Sequence, residues 1–171
     1  RWSAAAAFHP LMRTHHGGDE CSNWTFDQDA ETVAHFQRYS AIHALLYPYF
    51  QSLLPDAKQR GWPITRHPYL VEPDRPALWA DEQYEWFVGD DLLVAPVLEE
   101  GATERTVTLP AVAWWPLFGD GPVSGASSVD GNALEITVDA DITETPVFVR
   151  PGTVLPLLSR PVDSFYGTSN P

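Results

Sequence analysis

Two hydrophobic periods share this chain, and they change over at Gly61. Between Asp29 and Arg60, the residues Val33, Phe36, Tyr39, Ile42, Leu46, Phe50 and Leu53 recur at spacings of three and four, the period of an amphipathic helix. Asp27 or Asp29 is placed to cap that helix, and Glu31 lies in its first turn, where the helix dipole favours a carboxylate. Pro48 is expected to bend the helix, because proline removes one intrahelical amide. Lys58 and Arg60 suit its C-terminal end, and Gly61 stops it. Past Gly61 the apolar runs shorten to strand length, at 69–71, 92–95, 106–109, 134–138 and 146–149. Gly89-Asp90-Asp91, Glu100-Gly101, Gly119-Asp120-Gly121 and Asp130-Gly131-Asn132 punctuate them as turns. Short strands at this spacing predict an antiparallel sandwich, with Leu92 to Val97, apolar throughout, as a strand buried on both faces.

Ahead of the helix, Ala4 to Phe8 read as an apolar strand stopped by Pro10, with Arg13 and His15 following at alternate positions. Residues two apart in an extended segment project to the same side, so both would face one cavity. Delivery of polar groups at the C-terminal end of a strand is how a parallel (β/α)₈ barrel builds its active site. An isolated pair of this kind is more often a core histidine beside a salt-bridged arginine. Residues 16–25, rich in Gly, Asp, Ser and Asn, mark a loop. One strand and one helix make no barrel, which needs about eight of each and roughly 250 residues, so the rest of it is expected to precede Arg1.

Composition narrows the partners. With 23 acidic against 10 basic residues and a net charge of −13, neither a phosphate backbone nor an anionic membrane would be attracted. Hydrophobic residues make up 44% of the 171, enough for a core. No apolar run approaches the roughly 20 residues of a membrane span, and no signal peptide opens the chain. The lone Cys21 excludes an internal disulfide; a cytoplasmic protein is expected.

The segments RWSAAAAFHPLMRTH, NWTFDQDAETVAHFQRY, GWPITRHPYL, GDDLLVAPVLEEGA, WWPLFGDG and PVFVRPGTVLPL stand in an order that resembles the C-terminal part of glycoside hydrolase family 31. That family holds retaining α-glucosidases, α-xylosidases and sulfoquinovosidases, and the stretch from Met12 to Phe36 is most similar to the bacterial sulfoquinovosidase branch. The resemblance implies the last strand and helix of a (β/α)₈ barrel over 1–61, an antiparallel β-sandwich over 62–157 and a tail over 158–171. It places His15 where the family histidine hydrogen-bonds a sugar hydroxyl at the reacting ring; Arg13 beside it is expected to orient neighbouring carboxylates rather than touch sugar. Both catalytic aspartates would lie upstream, so no catalytic residue is assigned here. An α-glycoside substrate, the remaining part of the barrel as partner and no cofactor are implied. The sequence departs from the family pattern in its small alanine run, in Arg66-His67-Pro68, in Trp114-Trp115-Pro116 and in a single glycine at Gly125.

Other candidates have simpler readings. Asp19, Glu20, Asp27 and Asp29 suit helix capping and a solvated loop. Trp24 suits a loop anchor as well as a sugar platform. Trp79, Trp86, Trp114 and Trp115 suit sandwich core or inter-domain packing. His9, His15, His16 and Cys21 match no metal-site spacing, and no glycine-rich phosphate loop precedes a helix. The alternative function is a non-catalytic carbohydrate-binding sandwich that relies on exposed tryptophans.

Overall fold

The computed structural model describes residues 1–15, 18, 23, 25–79, 84–123, 127–129 and 133–162. Its chain divides into two compact units. One comprises Arg1 with Leu53–Val154, the other Trp2–Ser52 with Leu155–Pro171, and the division falls inside a helix.

The first unit is built on two antiparallel sheets. Strands β1 (Thr65–Arg66), β2 (Trp86–Val88), β3 (Leu92–Val94), β5 (Trp115–Pro116) and β8 (Val147–Val149) form one, in the order β1-β2-β3-β8-β5. The other has the order β4-β7-β6, from β4 (Glu104–Pro110), β6 (Ser127–Val129) and β7 (Ala133–Asp139). Register explains the core. Leu93 faces Phe87 on one side and Phe148 on the other, and Val107 faces Ile136 in the second sheet. These residues meet Leu109, Ala95 and Trp114 in a single buried cluster, so the two sheets pack as a sandwich. The Trp114 indole donates to the Pro110 carbonyl at 3.2 Å, which satisfies the polar atom that a buried tryptophan carries. Each large side chain buried here stabilises the fold by about 1.5–3 kcal/mol.

The expected strands at 92–95, 106–109, 134–138 and 146–149 fall on β3, β4, β7 and β8. All of β3 is buried, and it lies between two neighbours, as its unbroken apolar run requires. The turns at Gly89, Gly101 and Gly121 have positive φ; Asp130-Gly131-Asn132 lies outside the described residues. The expected strand at 69–71 is instead a short helix, α4 (Pro68–Val71). Pro68 occupies its first turn and the His67 ring accepts from the Tyr69 amide at 3.2 Å. Proline preset for a helix start overrides the β-propensity of Tyr and Val.

In the second unit the alanine run is helical. Helix α1 spans Trp2–Ala6, and the turn closes through Ala7 N–H to the Ser3 carbonyl and Phe8 N–H to the Ala5 carbonyl, both 3.2 Å. No strand occurs among the described residues 1–61. The strand expected at 4–8 is therefore corrected: alanine is the best helix former, and a short apolar run carries no period to say otherwise. The long helix is likewise two, α2 (Ala30–Leu45) and α3 (Tyr47–Arg60). Pro48 cannot donate to the Ala44 carbonyl, and the chain breaks beside it at Leu46. Asp29 caps α2, accepting from the Thr32 amide at 2.7 Å and the Thr32 hydroxyl at 2.9 Å. Those bonds, the backbone one foremost, hold its carboxyl below the usual aspartate range. Gly61, with φ +72°, ends α3 as expected. From the tail, Leu158 N–H donates to the Leu45 carbonyl at 3.0 Å; residues 163–171 are outside the described set.

Candidate functional site

Phe8 and Ala7 are fully buried at the end of α1, and the chain then turns through His9 and Pro10 into an irregular stretch, 11–15. Arg13 and His15 both lie on that stretch and both are exposed. The imidazole of His15 offers one donor and one acceptor, a pairing that suits vicinal hydroxyls. Of the neighbouring acidic residues, Asp27 is exposed and Asp29 is spent on the helix cap. His16, Asp19, Glu20, Cys21 and Trp24 lie outside the described residues. Two further histidines lie on α2. His43 Nδ1 lies 2.9 Å from the Ala7 carbonyl, and its ring packs on Phe50 at 5.5 Å. His35 packs on Tyr39 at 4.9 Å, and burial lowers its pKa. His9 is likewise pushed down by burial. These three serve the packing of the helical unit. Among the described residues no three His, Cys, Asp or Glu side chains converge as metal ligands would.

The sandwich places its ionisable groups differently. Glu85 is buried just ahead of β2. One of its carboxylate oxygens accepts from the Thr108 amide at 3.3 Å and lies 3.6 Å from the Arg105 guanidinium. The other oxygen is buried without a hydrogen-bond partner. Burial pushes the Glu85 pKa up to about 8, and the opposing pull of Arg105 is too weak to offset it. Elsewhere Arg66, 3% exposed, pairs with Asp90 and stacks over Trp62 at 5.4 Å. Arg150 lies 5.1 Å from the Trp114 ring and donates to Glu72 at 2.9 Å. Of the four tryptophans read as core, only Trp114 is fully buried. Trp79 and Trp86 are half-buried, and Trp115, on the edge strand β5, is 47% exposed. Trp115 is therefore not part of the sandwich core, which leaves inter-domain packing as the other role expected of it.

The arrangement therefore has a folded sandwich with a buried carboxylate, and a helical unit that presents Arg13 and His15 to solvent. Sequence reasoning singled out neither Glu85 nor Tyr84 beside it. No residue pattern marks a glutamate for burial.

Comparison with known proteins gives the chain a family. The glycosyl hydrolase family 31 C-terminal domain matches residues 61–155, and the chain belongs to that family. It is 37% identical over 150 residues to the sulfoquinovosidase of Escherichia coli K12, covering 88% of this chain and 21% of that protein. It is 29% identical over 172 residues to the mouse lysosomal α-glucosidase, covering 92% of this chain and 18% of the relative. Among solved structures it resembles a Flavobacterium johnsoniae family 31 dextranase with a TM-score of 0.80 at 29% identity, covering 96% of this chain and 20% of that one. The chain thus spans about a fifth of the length of the relatives it matches. Those relatives are glycoside hydrolases, and the match confirms the family that the sequence resembles.

Proposed function

We propose that this chain is the C-terminal portion of a retaining α-glycosidase that removes terminal α-glucosides or α-sulfoquinovosides. The observation that carries the reading is the 37% identity to a sulfoquinovosidase, which runs through the helical unit as well as the sandwich and covers 88% of the chain. In this reading residues 1–61 complete a catalytic barrel. Retaining hydrolysis uses two carboxylates about 5–5.5 Å apart, one attacking the anomeric carbon and one protonating the departing oxygen, then deprotonating water. Both belong to the part of the protein ahead of Arg1. His15 supplies a hydrogen bond to a hydroxyl of the reacting sugar, one that strengthens as the ring flattens toward the oxocarbenium-like transition state. Arg13 holds the neighbouring carboxylates in position. The exposure of both side chains in this chain leaves them accessible to a substrate.

The test is to express the open reading frame that contains this chain and assay it on aryl α-glucoside and aryl α-sulfoquinovoside, following the anomer by NMR. Turnover with the α-anomer released first is expected, alongside no turnover by the 171 residues alone. Release of the β-anomer first, or hydrolysis by the isolated chain, would overturn the reading.

A further inference from the structure

Tyr84 is the one described non-glycine residue with a positive φ, +56°. A bulky residue held there carries backbone strain. Core packing does not repay it, because Tyr84 is 58% exposed. A strained, exposed aromatic points to a use for the ring.

The ring borders a hollow of about 410 Å³ on the sandwich, within the range of small-ligand sites. Leu98, Glu104, Arg105, Thr106 and Thr137 share its lining. Thr106 and Thr137 are cross-strand partners on β4 and β7, and their hydroxyls lie 3.1 Å apart. Only one of them can donate across that bond, so the other keeps its hydrogen for an outside acceptor. Arg105 sits 3.6 Å from the buried Glu85, which holds the guanidinium on the wall. Glu99 also lines the hollow; with Glu104 it disfavours an anion. The polar lining disfavours a wholly apolar ligand. What fits is a molecule with an apolar C–H face for the Tyr84 ring and a hydroxyl-bearing edge for the threonines and carboxylates.

We propose that this hollow binds a neutral saccharide, with Tyr84 as its stacking platform and the Thr106–Thr137 pair as its hydroxyl reader. The site belongs to the sandwich alone and stands whether or not the hydrolase reading does. The test is calorimetric titration of the 171-residue chain with maltotriose, and separately with inorganic sulfate. Maltotriose is expected to bind with a Kd on the order of 1 mM, and sulfate not at all. Tyr84→Gly should weaken maltotriose about tenfold while leaving Tm equal to or above that of wild type, because glycine relieves the strain. Tyr84→Phe should stay within about threefold, since the ring face is kept. No binding of maltotriose, binding of sulfate instead, undiminished binding by Tyr84→Gly, or a lower Tm in that variant would each overturn the proposal. The last result would make Tyr84 a structural residue.

Discussion

The sandwich and the helical unit bury their apolar residues in different ways. Phe87, Leu93, Val107, Leu109 and Trp114 are sealed by two sheets from the same unit. In α2, by contrast, Tyr39 is the one buried residue, while Val33, Phe36 and Ile42 along the same apolar stripe stay half-buried. A stripe that its own unit leaves partly open is what a helix from a larger assembly would show. The difference is one of enclosure: among the described residues the sandwich covers the apolar side chains of its core, whereas the unit with Arg13 and His15 leaves those of α2 partly open.

Leucines of nearly equal burial give the sharpest way to break that comparison. Leu93 is 0% and Leu46 2% exposed. Leu93→Ala should cost about 3–5 kcal/mol, because sheets on both sides hold the cavity open, and Leu46→Ala about 2 kcal/mol, because its neighbours can relax into the space. Urea unfolding of the two variants measures this; equal losses would erase the distinction.

The next effect concerns pH. Glu85 has its folded pKa raised from 4.5 to about 8, so the folded state binds more protons than the unfolded chain between those values. Stability is then fully present below about 4.5 and is lost as pH rises through about 8. Glu85→Gln should remove that slope, stabilising the chain on the order of 2 kcal/mol at alkaline pH. Denaturant titrations across the range would show it. A slope unchanged in the variant would mean the carboxylate stays ionised beside Arg105.

The smallest effect lies near the change from helix to strands. At Gly61 a Cβ would meet nothing within 4 Å, yet φ is +72°. Gly61→Ala should therefore cost about 1 kcal/mol through backbone strain alone. A neutral outcome would show that the turn can readjust.

How far the sequence could be read follows from where each signal is local. Asp29 caps α2 and Gly61 ends α3 because capping and left-handed turns depend on single residues, and those were legible. Strands β3, β4, β7 and β8 were legible through their apolar runs. Strands β1 and β5, of two residues each, and β2 and β6, of three, exist through pairing with distant partners, which no local pattern announces. Ala4 to Phe8 misled because four alanines and a phenylalanine fit either period, and Tyr69 misled because Pro68 outweighs its β-propensity. The role given to His15 rests on family resemblance; the extended geometry expected around it and Arg13 gives way to a helix and an irregular stretch. Tyr84 and Glu85 were illegible, since a positive φ and a buried carboxylate are set by tertiary context.

The central proposal is that the exposed imidazole of the helical unit, and not the buried carboxylate of the sandwich, serves the reaction. It is tested most directly by measuring kcat/KM on an aryl α-glycoside for the whole protein that contains this chain, with His15→Ala and Glu85→Gln side by side. The account predicts a loss of about 10²–10³ for His15→Ala, from a bond made chiefly in the transition state, and a value within about twofold of wild type for Glu85→Gln. A His15→Ala enzyme as active as wild type would contradict it.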